Sequence, residues 1–318
     1  MNDQGMQELF ESAIHDSLCL KKIPVRLHEP DYTALLTLNL PDKLNRQLPR
    51  IVSLEDGESV RLYQPLYFSG CFVHQSPYVR FFSHSFNSNR TCEIGDLLVL
   101  CKETSQDNIR YNAAILQLKL SRKLRIPKTR RPVKISGVRD RTQLDLYSNW
   151  PEFNFDRPVQ EKKYDLSDKH AFAGAQYMFV CEDRTTSFSV AMPQGAMYAY
   201  DYPFAKFLTD FIAWRTGKEF KDKLDSSHDE WSELIWDILN HVAEQKIQRS
   251  NIGEESVRNR YNDAGKIGLG FMQGGPAVSD WDIPAIMATM GERRHYNRNS
   301  FGVLWIAKNA RGIYEFER

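Results

Sequence analysis

Asp96, Gln117 and Lys119 are the residues of this chain whose types and spacing could do chemistry together. Asp96 is the lone charge in the apolar run 94–101 (IGDLLVLC), and Gln117 and Lys119 are polar residues in the last half of 112–120 (NAAILQLKL). Both runs read as strands, so Gln117 and Lys119 share one face while Leu116, Leu118 and Leu120 take the other. Residues 102–110 (KETSQDNIR) read as a polar hairpin loop that returns Asp96 to their side. One carboxylate, one amide oxygen and one ammonium then converge at the edge of a buried sheet. Phosphodiester hydrolysis uses such a set. A hard cation, Mg2+ or Mn2+, takes oxygen ligands from Asp96, the Gln117 side chain and the Leu118 carbonyl. It activates a bound water, while Lys119 orients that water or stabilises charge on the phosphorus centre.

Polar residues near strand ends are common, and a QxK triplet arises often by chance. Burying a lysine in an apolar strand is costly, however, unless a partner offsets it. A basic run begins where the second strand ends. Between 119 and 141 stand ten bases, Lys119, Arg122, Lys123, Arg125, Lys128, Arg130, Arg131, Lys134, Arg139 and Arg141, against one acid, Asp140. Of these, Arg122, Lys123, Arg125, Lys128, Arg130 and Arg131 are the expected contacts to nucleic-acid phosphates. A solvated loop balanced by the acids of 222–233 is the alternative.

The two strands and the D…QxK spacing resemble the core of the PD-(D/E)xK, restriction-endonuclease-like nucleases. The closest likeness is to the form in which glutamine replaces the second acid, found in Mrr-like modification-dependent enzymes and in antiphage effectors. The resemblance covers about residues 90–122. It implies a mixed central sheet flanked by helices, with Asp96 as metal-binding aspartate, Gln117 at the second acid's position and Lys119 as the catalytic lysine. It implies Mg2+ or Mn2+ as cofactor and DNA, or RNA, as substrate. A cytoplasmic role in phage defence, as a homodimer or beside a partner NTPase or sensor, also follows from it. Gly95 stands where many members carry proline. Members also place a glutamate from the first helix near the metal, which makes Glu8 or Glu11 a candidate. Glu93, three residues before Asp96, falls on the opposite face unless Gly95 forms a bulge. Two rivals remain: an inactive module of this fold that binds nucleic acid or a defence partner, and a structural protein whose polar residues satisfy one another.

The elements that must position these residues form an α/β pattern. A helix is expected over 6–20, with Leu9, Phe10, Ala13, Ile14 and Leu18 on one face. Four prolines make 22–55 irregular. Strands are expected at 59–63, 66–73, 175–181 and 300–307. Helices are expected from near Arg139 or Thr142 to Pro151, over 203–216, and over 230–248, where Trp231, Leu234, Ile235, Ile238, Leu239 and Val242 form an apolar stripe. Residues 84–90 read as a turn, 151–170 as an extended connection and 262–281 as a glycine-rich loop.

No composition break divides the 318 residues. They read as one α/β nuclease-like domain with its core motif at 90–122 and 151–318 as an accessory region. Forty-two Lys and Arg against 41 Asp and Glu leave a net charge of +1, which excludes an indiscriminate polycation. Five scattered cysteines without a CxxC pair argue against a disulfide framework or structural zinc, and make a reducing cytoplasm the expected setting. No apolar run approaches the roughly 20 residues of a membrane helix, and the acidic N-terminal stretch lacks the apolar core of a secretion signal. The run 265–275 (GKIGLGFMQGG) fails the dinucleotide-loop spacing, no Walker A sequence occurs, and His74, His84, His170 and His295 lack metal-ligand spacing.

Overall fold

The structure, a computed structural model, describes residues 2–18, 29–48, 51–55, 59–63, 66–73, 77–105, 108–121, 131–133, 138–156, 162–166, 174–181, 187–194, 196–222, 229–244 and 301–309. Its helices are α1 (Asp3–Leu18), α2 (Glu29–Ala34), α3 (Leu40–Gln47), α4 (Val138–Asn149), α5 (Phe204–Ile212) and α6 (Glu230–Glu244), and a π-helical turn, Leu35–Asn39, joins α2 to α3. The first strands are β1 (Ile51–Glu55), β2 (Ser59–Tyr63), β3 (Leu66–Val73), β4 (Tyr78–Ser83) and β5 (Ser88–Glu93). Next come β6 (Leu97–Thr104), β7 (Ile109–Ser121), β8 (Arg131–Val133), β9 (Phe153–Phe155) and β10 (Lys163–Tyr164). The last are β11 (Ala175–Cys181), β12 (Ser187–Gln194), β13 (Ala196–Pro203), β14 (Lys218–Phe220) and β15 (Phe301–Asn309).

Among the described residues the central sheet has nine strands in the order β3-β15-β6-β7-β11-β12-β13-β8, with β14 paired to the first half of β7. It is mixed: β15 runs parallel to β6 and β11 parallel to β7, while the other ladders are antiparallel. Strands β6 and β7 lie in the middle, as their near-continuous apolar sequence requires of a sheet covered on both faces. One face packs Leu97, Val99, Leu116 and Leu118 under α1, α2, α3 and α5. The other packs Leu98, Leu100, Ala113 and Ile115 under α4, α6 and a small antiparallel sheet, β10-β9-β4-β5. Among the described residues, no helix is long and apolar enough to cross a membrane.

Several expectations change. Residues 29–47 are helical, because prolines 30 and 41 fall in the first turns of α2 and α3, where a missing N–H costs nothing. The hairpin between β6 and β7 is shorter than expected, since both strands extend beyond their apolar runs into the polar residues. The connection 151–170 contributes β9 and β10 to the small sheet. Strand β15, from the region read as accessory, sits between β3 and β6 in the central sheet. The glycine-rich run 262–281 lies outside the described residues.

The stripe on α6 is core: Trp231, Leu234, Ile235 and Ile238 are all buried, each contributing about 1.5–3 kcal/mol. Asp229 caps this helix by accepting the Ser232 N–H at 2.8 Å. On the opposite face the π-helical turn lies directly on β3. A side chain at Gly70 would put its Cβ 1.8 Å from the Thr37 carbonyl oxygen, so only glycine permits that contact.

Candidate active site on the bare edge of β7

Asp96 stands where the chain passes from the small sheet to the central one. Ile94 N–H still bonds Pro77 beside β4, at 2.9 Å, whereas Asp96 N–H bonds the Leu116 carbonyl of β7, also at 2.9 Å. The β6–β7 ladder ends at the Leu97–Leu116 pair, which leaves the rest of β7 bare on that side. Two carboxylates take the place of the missing strand. Leu118 N–H donates to Asp96 Oδ2 at 2.7 Å, and Leu120 N–H donates to Glu29 Oε1 at 3.0 Å.

The step between sheets requires glycine at 95. A Cβ there would lie 2.4 Å from Ile115 Cγ2 and 3.1 Å from Tyr147 Oη. Gly95→Ala is therefore expected to lower stability by about 1–3 kcal/mol in urea unfolding, as overpacking does. An unchanged midpoint would show that the two strands have slack.

Gln117 and Lys119 share the β7 face that carries Ala113 and Ile115. Gln117 Nε2 donates to Asp96 Oδ2 and, at 3.3 Å, to the Leu118 carbonyl. Its own oxygen accepts from Gln143 Nε2, which also donates to the Glu93 carbonyl at 3.0 Å. Four residues further along α4, Tyr147 Oη donates to the Ile94 carbonyl. Gln143 and Tyr147, one helical turn apart, thus clamp α4 onto the segment that carries Asp96. Lys119 Nζ lies 2.9 Å from Asp140 Oδ1. The single acid of the basic run is the partner of its first lysine.

The site is buried, with Asp96 6% exposed, Gln117 2% and the Lys119 side chain 20%. Burial, then the charge of Glu93, pushes the Asp96 carboxyl well above the carboxylate range, and the Lys119 ammonium and Leu118 N–H offset only part of this. Glu93 is raised as well, chiefly by burial, against the pull of a Tyr78 hydrogen bond at 3.1 Å and of Lys119. For Lys119, burial works to lower the ammonium, but Glu29, Asp96 and Asp140 together hold it above its ordinary value. Cys92, beside these groups, is pushed up by burial and by Glu93, so it stays a thiol.

The structure therefore brings together Asp96, Gln117, the Leu118 carbonyl, Lys119 and Glu93. The bend at 94–96 breaks the strand alternation that would have set Glu93 on the opposite face. It does not bring in Glu11, which is exposed on α1 and accepts from Gln7 Nε2 at 2.8 Å, or Glu8, which accepts from Gln4 Nε2 at 3.0 Å. The inward face of α1 is taken by Phe10, Ala13 and Ile14. The helix glutamate near Asp96 is Glu29 of α2. Arg131 lies on β8, four strands from β7 or about 19 Å across the sheet. Arg122, Lys123, Arg125, Lys128 and Arg130 lie outside the described residues.

The donor set suits a hard divalent cation. Its atoms are oxygens: the carboxylates of Asp96, Glu93 and Glu29, the Gln117 amide and the Leu118 carbonyl. With Asp140, four carboxyl groups face Lys119 and Arg139 among the described residues, more acids than bases. Among the described residues no three Asp, Glu, His or Cys side chains are close enough to chelate an ion alone, so neutral oxygens would have to complete the shell. Tyr177, paired in register with Gln117, carries a buried hydroxyl without a hydrogen-bond partner among the described residues. Compared with protein-family models, curated proteins and solved structures, the chain matches none.

Proposed function

We propose that the protein is a metal-dependent nuclease of the restriction-endonuclease-like kind, hydrolysing phosphodiester bonds in DNA. The observation that carries this reading is the excess of carboxyl groups over bases, among the described residues, on the bare edge of β7, with Lys119 inside it. Asp96, the Gln117 oxygen and the Leu118 carbonyl would hold Mg2+ or Mn2+. Once bound, the ion would polarise the phosphoryl group and acidify a water.

The chain's own residues divide the remaining work. Lys119, held protonated by its carboxylate neighbours, is an electrophile and not a base: it donates to the phosphoryl oxygen as charge develops there. The proton of the attacking water would go to a carboxylate, and Glu93, whose affinity for a proton is raised, is the one we assign to take it. Gln143 positions Gln117, and Asp140 aims the Lys119 amine. A cytoplasmic role in phage defence, as a homodimer or with a partner NTPase, belongs to the same proposal and rests on resemblance alone.

A second reading, an inactive module that binds nucleic acid or a defence partner, is favoured by one detail. The Gln117 amide nitrogen, not its oxygen, faces Asp96. Incubating purified protein with supercoiled plasmid and with circular single-stranded DNA, in Mg2+, Mn2+ or chelator, separates the two. Metal-dependent nicking or linearisation supports the nuclease. Intact DNA in both metals, with binding retained, leaves the module.

A further inference from the structure

We infer that Gln143 sets the metal affinity of the site: it holds the amide nitrogen of Gln117 in the place a divalent cation would take, so the ion enters only when the two amides turn as a pair. The inference rests on the metal site of the nuclease reading and concerns what the ion must displace to occupy it.

Groups that can only accept fix which way the two amides point. Gln143 Nε2 donates to the Glu93 main-chain carbonyl at 3.0 Å, and a peptide oxygen has no proton to give. The same nitrogen meets Gln117, so the Gln117 atom it meets is the oxygen. The Gln117 nitrogen is thereby sent the other way, onto Asp96 Oδ2 and, at 3.3 Å, the Leu118 carbonyl. With a main-chain carbonyl at each end of the chain of contacts, turning both amides would set oxygen against oxygen at both ends. The present arrangement leaves every contact bonded.

Asp96 and the Leu118 carbonyl are also the oxygens a cation would draw on, together with that of Gln117 itself. The Gln117 NH2 group thus stands in for the ion, bonded to two of its ligands. A cation requires Gln117 to turn its oxygen inward, which brings its nitrogen against Gln143. Gln143 must then offer its own oxygen, and its bond to the Glu93 carbonyl is lost. The ion repairs the contacts at the Asp96 end, and nothing repairs the Glu93 end. Gln117 is 2% exposed and Gln143 4%, too little for solvent to make up the loss. Metal affinity is accordingly lower by one buried hydrogen bond, about 3- to 30-fold. Tyr147 and Asp145 hold α4 to the Ile94 carbonyl and to Ser83 and Ser85, so Gln143 can be replaced without releasing the helix.

The test reads Mn2+ binding to the full chain from the free-ion electron paramagnetic resonance signal, with no substrate present. Gln143→Met keeps the length of the side chain and removes its donor, and it is expected to tighten Mn2+ about 3- to 30-fold. A merely structural Gln143 predicts the opposite sign, because a loosened site binds the ion less well. Gln117→Glu presents two oxygens, one for Gln143 and one for the ion, so no turn is required. In that background Gln143→Met should weaken Mn2+ binding or leave it unchanged. Weaker or unchanged binding in Gln143→Met alone overturns the inference, as does equal tightening in both backgrounds. Wild type carries a second readout should the variant not fold. With 15N-glutamine labelling, Mg2+ is expected to shift the side-chain NH2 signals of Gln117 and Gln143 together, and movement of Gln117 alone overturns the paired turn. Absence of Mn2+ binding to wild type removes the latch and the metal site with it. If the sign reverses between backgrounds yet plasmid stays intact in Mn2+, the nuclease reading fails and the latch stands. If plasmid is cut and the sign does not reverse, the latch fails alone.

Discussion

Lys119→Ala is expected to reduce metal-dependent cleavage about 10²–10³-fold while the protein still melts cooperatively. The ammonium sits on the polar face of β7, one residue pair from Gln117, and is held charged by Glu29, Asp96 and Asp140. Its removal takes away the cation that this end of β7 sets among the carboxylates. The rate, measured on supercoiled plasmid at saturating Mg2+, should fall far more than substrate affinity does, because the ammonium answers charge that develops only as the bond breaks. Stability should fall modestly, since Asp140 is partly exposed and can regain water. If activity is unchanged, Lys119 is a structural counter-ion. If the melt is lost and Mg2+ has no effect on wild type, the cluster is a core polar network and the nuclease reading is wrong.

Asp96→Asn gives the second large effect, and in the opposite sense for stability. The carboxyl of Asp96 is held above its ordinary value of 3.8, so the folded protein binds this proton more tightly than the unfolded chain does. Its contribution is most favourable below pH 3.8 and is lost as pH rises through the raised folded value. Without metal, the difference in Tm between Asp96→Asn and wild type should therefore be small near pH 4 and grow in favour of the variant toward neutral pH. Added Mg2+ should raise the Tm of wild type and narrow the gap, because a cation that binds only the native carboxylate stabilises it by mass action. Cleavage should be abolished in the variant. A lower Tm for Asp96→Asn at pH 7, unaffected by metal, would mean the carboxylate is a satisfied partner of Lys119 and nothing more.

The chemistry-bearing strand was legible because its physics is local. Two polar side chains two residues apart in an apolar run must share a face, and the apolar run itself requires cover on both sides. The stripe on α6 was legible for the same reason. What escaped depends on contacts between distant segments. Glu29 lies in a stretch whose prolines read as breaks, although a proline in a first turn starts a helix as readily as one in the middle ends it. Glu11 is a candidate because the resemblance looks to the first helix for a glutamate, yet that helix turns its Phe10 side inward. The small sheet draws β4 and β5 from one region and β9 and β10 from another, and strands of two or three residues carry no periodicity to read. Asp140 could have been found: a lone acid in a run of ten bases invites the question of which base it serves.

One ladder governs when all of this can come into being. Strand β15 lies parallel to β6, separated from it by roughly two hundred residues of chain, and its Gly302 N–H bonds the Asp96 carbonyl at 2.8 Å. A nascent chain leaving the ribosome completes β6 and β7 early, yet β6 keeps an unpaired border until residues 301–309 emerge. Long-range parallel pairing of this kind is slow, and it comes last. The peptide that presents the candidate metal ligand is thus anchored only after translation has passed residue 302. The Asp96 peptide thus takes its final place only when a strand made some two hundred residues later has come to lie beside it.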